Sequence, residues 1–223
     1  MITLFNPTKG IGIIAPCKSG SSSLQRNALN NNPLNFGWRQ GPESRAFIRK
    51  SMNHLEFKDH TKDLQWFILS RNPIQWHMSG RYMVMNTEKD VNLFSAEHRY
   101  HNLFNFFKSV QEWTQGKVNV ANKIEYQSNF VTHCVMSPYQ IKKSIVNNDK
   151  EISSINIGNK NHRLMIEKLI DGAFPHVNET TYKRKETICD KSADILKDLC
   201  KDWANDEGYN IEKSIEDWNI NTA

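Results

Sequence analysis

Two short stretches carry residue types that could grip phosphate. The first, Ala15 to Leu24 (APCKSGSSSL), sets Lys18, Ser19 and Gly20 ahead of three further hydroxyls, Ser21, Ser22 and Ser23. Gly20 permits close backbone approach, and a helix starting after it would offer unpaired N–H groups and the positive end of its dipole. Lys18 adds a mobile charge and the serines add donors. The lysine precedes the glycine, so the Walker A pattern Gly-x-x-x-x-Gly-Lys-Ser/Thr cannot be written here. In the second stretch, Ser70 to Tyr82 (SRNPIQWHMSGRY), Arg71 is followed by Pro73, and Ser79 stands eight residues past the arginine. An arginine at a strand end and a hydroxyl two turns into the next helix could clasp a second phosphate. Plainer readings are a flexible Ser/Gly turn and an arginine that caps a strand.

Such groups work only where strands hand them to helices. Ile11–Ala15 reads as a buried strand, Pro16–Ser22 as a loop, and the chain from about Ser23 as a helix with Leu24, Ala28 and Leu29 on one side. Asn30–Pro42, rich in Asn, Pro and Gly, reads as loop, and Gln65–Ser70 as a second buried strand. Pro73 suits the first turn of a helix that carries Ile74, Met78 and Tyr82 along one face. Leu93–Trp113 reads as mostly helical, with Phe104, Phe107 and Val110 as core, while Gly116–Ser137 is ambiguous. Ile152–Ile157 reads as a strand and Lys160–Ile170 as a helix ending at Gly172. A last helix over Asp190–Asn205 turns Ala193, Leu196, Leu199, Cys200 and Trp203 inward and stops at Gly208. Strands alternating with helices predict an α/β domain with a central, mostly parallel sheet flanked by helices. Its ligand site would lie beyond the strand carboxyl ends, where both phosphate stretches emerge.

The chain has 223 residues, no repeat and no low-complexity linker, which predicts one domain over residues 1–223. Hydrophobic residues at 38% supply a core, and charged residues at 24% argue against both a membrane protein and wholesale disorder. Apolar runs fall far short of the roughly 20 residues that span a bilayer, and no leader pattern opens the chain. A soluble, cytoplasmic protein is the expectation, with no membrane partner. The net charge of +5 suits an anionic ligand but is too dispersed to demand nucleic acid. Cys17, Cys134, Cys189 and Cys200 form no C-x-x-C pair or metal-type spacing, so thiols in a reducing compartment are expected.

Together the two stretches resemble the nucleotide site of sulfotransferases that use 3′-phosphoadenosine 5′-phosphosulfate (PAPS). KSGSSSL resembles their 5′-phosphosulfate loop, Lys-x-Gly-x-Thr/Ser-Ser-Leu, and RNPIQWHMS resembles their 3′-phosphate motif, with the serine at the eighth position. Further echoes are similar to the Golgi-type carbohydrate enzymes: HCVMSPYQ from His133, PHVNETTYKRKE from Pro175, and DWANDEGYN ending at Asn210. The resemblance covers Ile13 to Tyr209. The chain departs from it where Cys17 intervenes between Pro16 and Lys18, and where Trp76 replaces the family's second arginine. The Golgi enzymes carry an amino-terminal anchor and stem; a compact bacterial or viral form is the expectation here.

The resemblance implies a P-loop-like strand-loop-helix site and a sulfuryl transfer to a hydroxyl, in a carbohydrate by preference, with adenosine 3′,5′-bisphosphate as product. Lys18, Ser19, Gly20, Ser21, Ser22 and Ser23 would hold the 5′ end, and Arg71 and Ser79 the 3′-phosphate. Lys183, Arg184 or Lys185 would close over the nucleotide. An acceptor hydroxyl has a pKa far above 7, so a general base is expected: His54 first, with His60 and Glu43 as competitors. His133 and His176 fit the acceptor side or the core, and Trp38 or Trp76 could stack on a sugar or lie in the core. No metal is called for, because the lysine does the charge work. Rival readings are a nucleotide or small-molecule kinase, which lacks its Walker A loop here, and a degenerate nucleotide-binding protein without turnover.

Overall fold

The computed structural model describes residues 2–25, 39–40, 63–87, 102–115, 134–146, 151–174 and 186–221. In chain order its elements are β1 (Ile2–Asn6), β2 (Ile11–Ala15), α1 (Ser21–Gln25), β3 (Arg39–Gln40), β4 (Gln65–Ser70), α2 (Pro73–Thr87), α3 (Leu103–Thr114), α4 (Pro138–Val146), β5 (Ile152–Asn156), α5 (Lys160–Ile170), α6 (Asp190–Glu207) and α7 (Ile211–Ile220). They fall into two compact units, Met1–Arg71 with Pro138–Glu179, and Asn72–Ser137 with Thr180–Ala223.

The first unit is built on a sheet of order β3-β1-β2-β4-β5. β2, β4 and β5 run parallel, as expected, while β1 is antiparallel to both β2 and β3. The sheet is therefore mixed rather than mostly parallel. The hairpin that makes it so has a local cause. Asn6, Pro7 and Gly10 form its turn: Asn6 Oδ1 accepts from Lys9 N at 3.1 Å, and Gly10 takes φ 67°. β1 is paired in register from Ile2 opposite Ala15 to Asn6 opposite Ile11. Arg39–Gln40, expected as loop, adds a two-residue strand on β1, opposite Phe5 and Leu4.

β2 is buried along its whole length, and β4 after its exposed first residue, the pattern of strands covered on both faces. One face packs Leu4, Ile13, Phe67, Leu69 and Ile155 against Leu24 of α1, Ile166 and Ile170 of α5, and Phe174. On the other face Gly12 lies opposite Trp66, and a Cβ at Gly12 would come within 2.5 Å of the indole. The helix α4 lies against β4 and β5 and was not anticipated, although Ser137-Pro138 is a helix-start pair. α5 starts as expected, capped by Asn159 Oδ1, which accepts from Asn161 N and His162 N. It ends at Ile170, with Asp171 rather than Gly172 as its cap in the left-handed region at φ 51°. Lys9 supports that end: its Nζ donates to Leu169 O at 3.1 Å and pairs with the Asp171 carboxylate.

The second unit packs α2, α3, α6 and α7 around Ile74, Met78, Phe106, Phe107, Val110, Leu196 and Cys200. The expected stripe on α3 is shifted. The inward positions are Leu103, Phe106, Phe107 and Val110, which leaves Phe104 at 36% exposure on the outer side. α6 runs to Glu207, two residues beyond expectation, and ends at Gly208 with φ 72°. α7 was not foreseen, yet Asn210 caps it through Lys213 N and Ile215 is buried. The helix α2 is buried far more completely than one apolar face would require. Trp76, His77, Ser79 and Arg81 are all buried. Trp76 is fully enclosed, edge to face with Trp203 at 5.9 Å, so it is core and not a sugar platform. No helix among the described residues is long and apolar enough to cross a membrane, and none of the four cysteines is in a disulfide.

Candidate functional site

The parallel pairing of β2 with β4 and of β4 with β5 brings three strand ends to one edge of the sheet. From β2 the chain enters a tight turn in which Ser19 N donates to Pro16 O at 3.1 Å. Cys17 lies within that turn. Lys18 follows at φ 65°, in a region that costs a side-chain-bearing residue about 1–2 kcal/mol, and Gly20 at φ 83°. α1 begins directly afterwards, with Leu24 N donating to Gly20 O at 2.9 Å. Ser19 and Ser23 are turned inward, while Lys18, Gly20, Ser21 and Ser22 stay partly exposed. Ser19 Oγ is fully buried and has no hydrogen-bond partner among the described residues.

From β4 the chain emerges at Arg71, whose Nη1 donates to the Lys18 carbonyl at 3.1 Å. The two stretches singled out by residue type are thus in direct contact, 53 residues apart in sequence. From β5, Ile157 N donates to Ser70 O at 2.8 Å and ties the third strand end to the second. Ile157 and Phe174 also close on the loop: a Cβ at Gly20 would lie 2.7 Å from Phe174 Cζ and 3.7 Å from Ile157 Cδ1. Sequence reasoning missed both residues. Neither has a local signal, because each acts on a loop more than a hundred positions away.

Ser79 stands in the second unit, on α2 and 4% exposed. Two residues before it, His77 is held among the rings of Trp76, Phe107 and Trp203 at centroid distances of 5.0–6.4 Å. Burial lowers its pKa to about 3, and its Nδ1 has no hydrogen-bond partner among the described residues. Arg81 sends a fork to Glu186, with Nε to Oε2 at 2.5 Å and Nη2 to Oε1 at 2.7 Å, over the ring of Phe106. Glu186 is held again by Tyr82 Oη, which accepts from its N–H, and by Trp218 Nε1, which donates to its carbonyl. This acid closes the YKRKE segment. Lys183, Arg184 and Lys185 lie outside the described residues, as do Glu43, His54, His60, His133, His176 and Trp38.

Among the described residues, Lys18, Arg71, the partly exposed Ser21 and Ser22 and a left-handed Gly20 stand at this strand-end edge, residue types that suit an anion. Comparison with protein-family models, curated proteins and solved structures finds no match.

Proposed function

We propose that this protein is a sulfotransferase that binds PAPS at the carboxyl ends of β2 and β4 and transfers the sulfuryl group to a hydroxyl, a carbohydrate hydroxyl in the first instance. The observation that carries the reading is the hydrogen bond from Arg71 to the Lys18 carbonyl, which joins the two motifs in one place. The fit of an anionic nucleotide rests on two further features. Ser19 carries a buried hydroxyl with no partner among the described residues, and φ is positive at Lys18 and Gly20 but not at the residue between, the alternation that forms anion-binding concavities.

In this mechanism the acceptor oxygen attacks sulfur in line as the bond to the bridging oxygen breaks, and the electron pair leaves with the 5′-phosphate. Lys18 and the N–H groups around Gly20–Ser22 stabilise that gathering charge, with Ser21 and Ser22 as the accessible hydroxyls. Ser19 and Ser23 support the loop from within. Arg71 holds the 3′-phosphate; Ser79, Lys183 and Lys185, which the resemblance adds to the nucleotide site, belong to the second unit. The acceptor proton passes to a base, for which His54 is the first choice before Glu43 and His60.

Thermal unfolding with adenosine 3′,5′-bisphosphate, AMP or ATP tests the reading. The bisphosphate alone should stabilise strongly, by about 2.7 kcal/mol at a hundredfold excess over Kd. The effect should vanish in Lys18→Ala and Arg71→Ala. Equal stabilisation by all three nucleotides would remove the claim to PAPS.

A further inference from the structure

We infer that Phe174 is a positioning residue for the Lys18–Gly20 loop, fixed in its post by a two-sided bracket from α5. Arg163 and Glu167 stand one turn apart on that helix, the spacing that brings side chains together. Arg163 Nη2 donates to Phe174 O at 3.1 Å, and Phe174 N donates to Glu167 Oε1 at 3.0 Å. Both backbone polar groups of one residue are therefore held by side chains of the preceding helix. The ring so fixed is 5% exposed and lies against Gly20, with Cζ 2.7 Å and Cε1 3.3 Å from where a Cβ would stand.

Left-handed backbone at two positions of a five-residue turn persists only where the surroundings exclude the alternatives. Arg71 restrains the loop from one side through the Lys18 carbonyl. Phe174 restrains it at Gly20, and the glycine is required twice over, by its φ and by the ring above it. The bracket keeps the loop in a single form, so that its N–H groups need no rearrangement when an anion arrives. Preorganisation of this kind appears as affinity, because the ordering cost is already met in the ligand-free protein.

The inference rests on the nucleotide reading for its ligand but not for its loop, and two readouts separate them. The first is the dissociation constant for adenosine 3′,5′-bisphosphate by calorimetry, in wild type, Phe174→Leu and the double variant Arg163→Gln/Glu167→Ala. The second needs no nucleotide: the rate at which iodoacetamide labels Cys17, partly exposed inside the turn, in a Cys189→Ser background. Cys134 and Cys200 are buried and stay silent while the protein is folded. Phe174→Leu should weaken binding at least tenfold and speed labelling severalfold, with the double variant moving both the same way while the ring remains. Should the leucine variant not fold, the double variant decides alone. Wild-type affinity together with a wild-type labelling rate in folded variants would overturn the inference. A wild-type protein that does not bind the bisphosphate, with labelling still faster in the variants, would overturn the nucleotide reading and leave the bracket standing.

Discussion

At His77 a titratable ring sits where water would be expected to follow and aromatic faces stand instead. Its pKa of about 3 in the folded protein, against 6.5 in the open chain, means that the unfolded state binds a proton the native state refuses. Stability therefore falls as pH drops from 6.5 toward 3, and is complete above that window. Between pH 7 and pH 5 this one ring accounts for about 2 kcal/mol by linkage. Urea midpoints at the two pH values should converge in His77→Leu relative to wild type; an unchanged gap would show that the ring is charged or exposed in solution. Residue types at Lys18 and Arg71 single out both stretches, and the structure brings the two residues into contact. Nothing comparable marked Phe174 or His77, whose roles come entirely from what packs around them. Trp76 was read both ways, and only burial decides it.

The elements were legible in proportion to how much of their surroundings their own pattern encodes. β2 and β4 are continuous apolar runs bounded by turn residues, and their limits coincide with those read from the sequence. β1 contains Thr3 and Asn6, which dilute the apolar signal, and its identity depends on pairing with β2. β3 has two residues and exists only because β1 offers an edge. On α2, His77, Ser79 and Arg81 are buried along with the apolar face, so periodicity shows a narrow face where there is none. Between β2 and β4, Trp66 lies across Gly12. Gly12→Ala places a methyl 2.5 Å from that ring, closer than any relaxed contact. It should lower stability by about 1–3 kcal/mol, the usual range for overpacking. Adding Trp66→Leu should recover part of the loss in a double-mutant cycle; strictly additive losses would mean that the two residues do not meet.

Neither compact unit is continuous along the chain. The first is assembled from Met1–Arg71 and Pro138–Glu179, so two of its three described helices and one strand of its sheet arrive after the second unit has begun. A single-cut truncation cannot release it intact. A fragment of residues 1–137 lacks β5, α4 and α5, including Ile155, Ile166 and Ile170 of its core, and should show no cooperative thermal transition by circular dichroism. A sharp transition in that fragment would mean that β1, β2 and β4 suffice as a folding unit. The same discontinuity has a consequence on the ribosome. Residues 71–151 separate β4 from its neighbour β5, and at about 5–20 residues per second their synthesis takes roughly 4–16 seconds. Throughout that interval the nascent chain carries a bare, apolar β4 edge, a template for intermolecular pairing that only delay of collapse or a chaperone can shield.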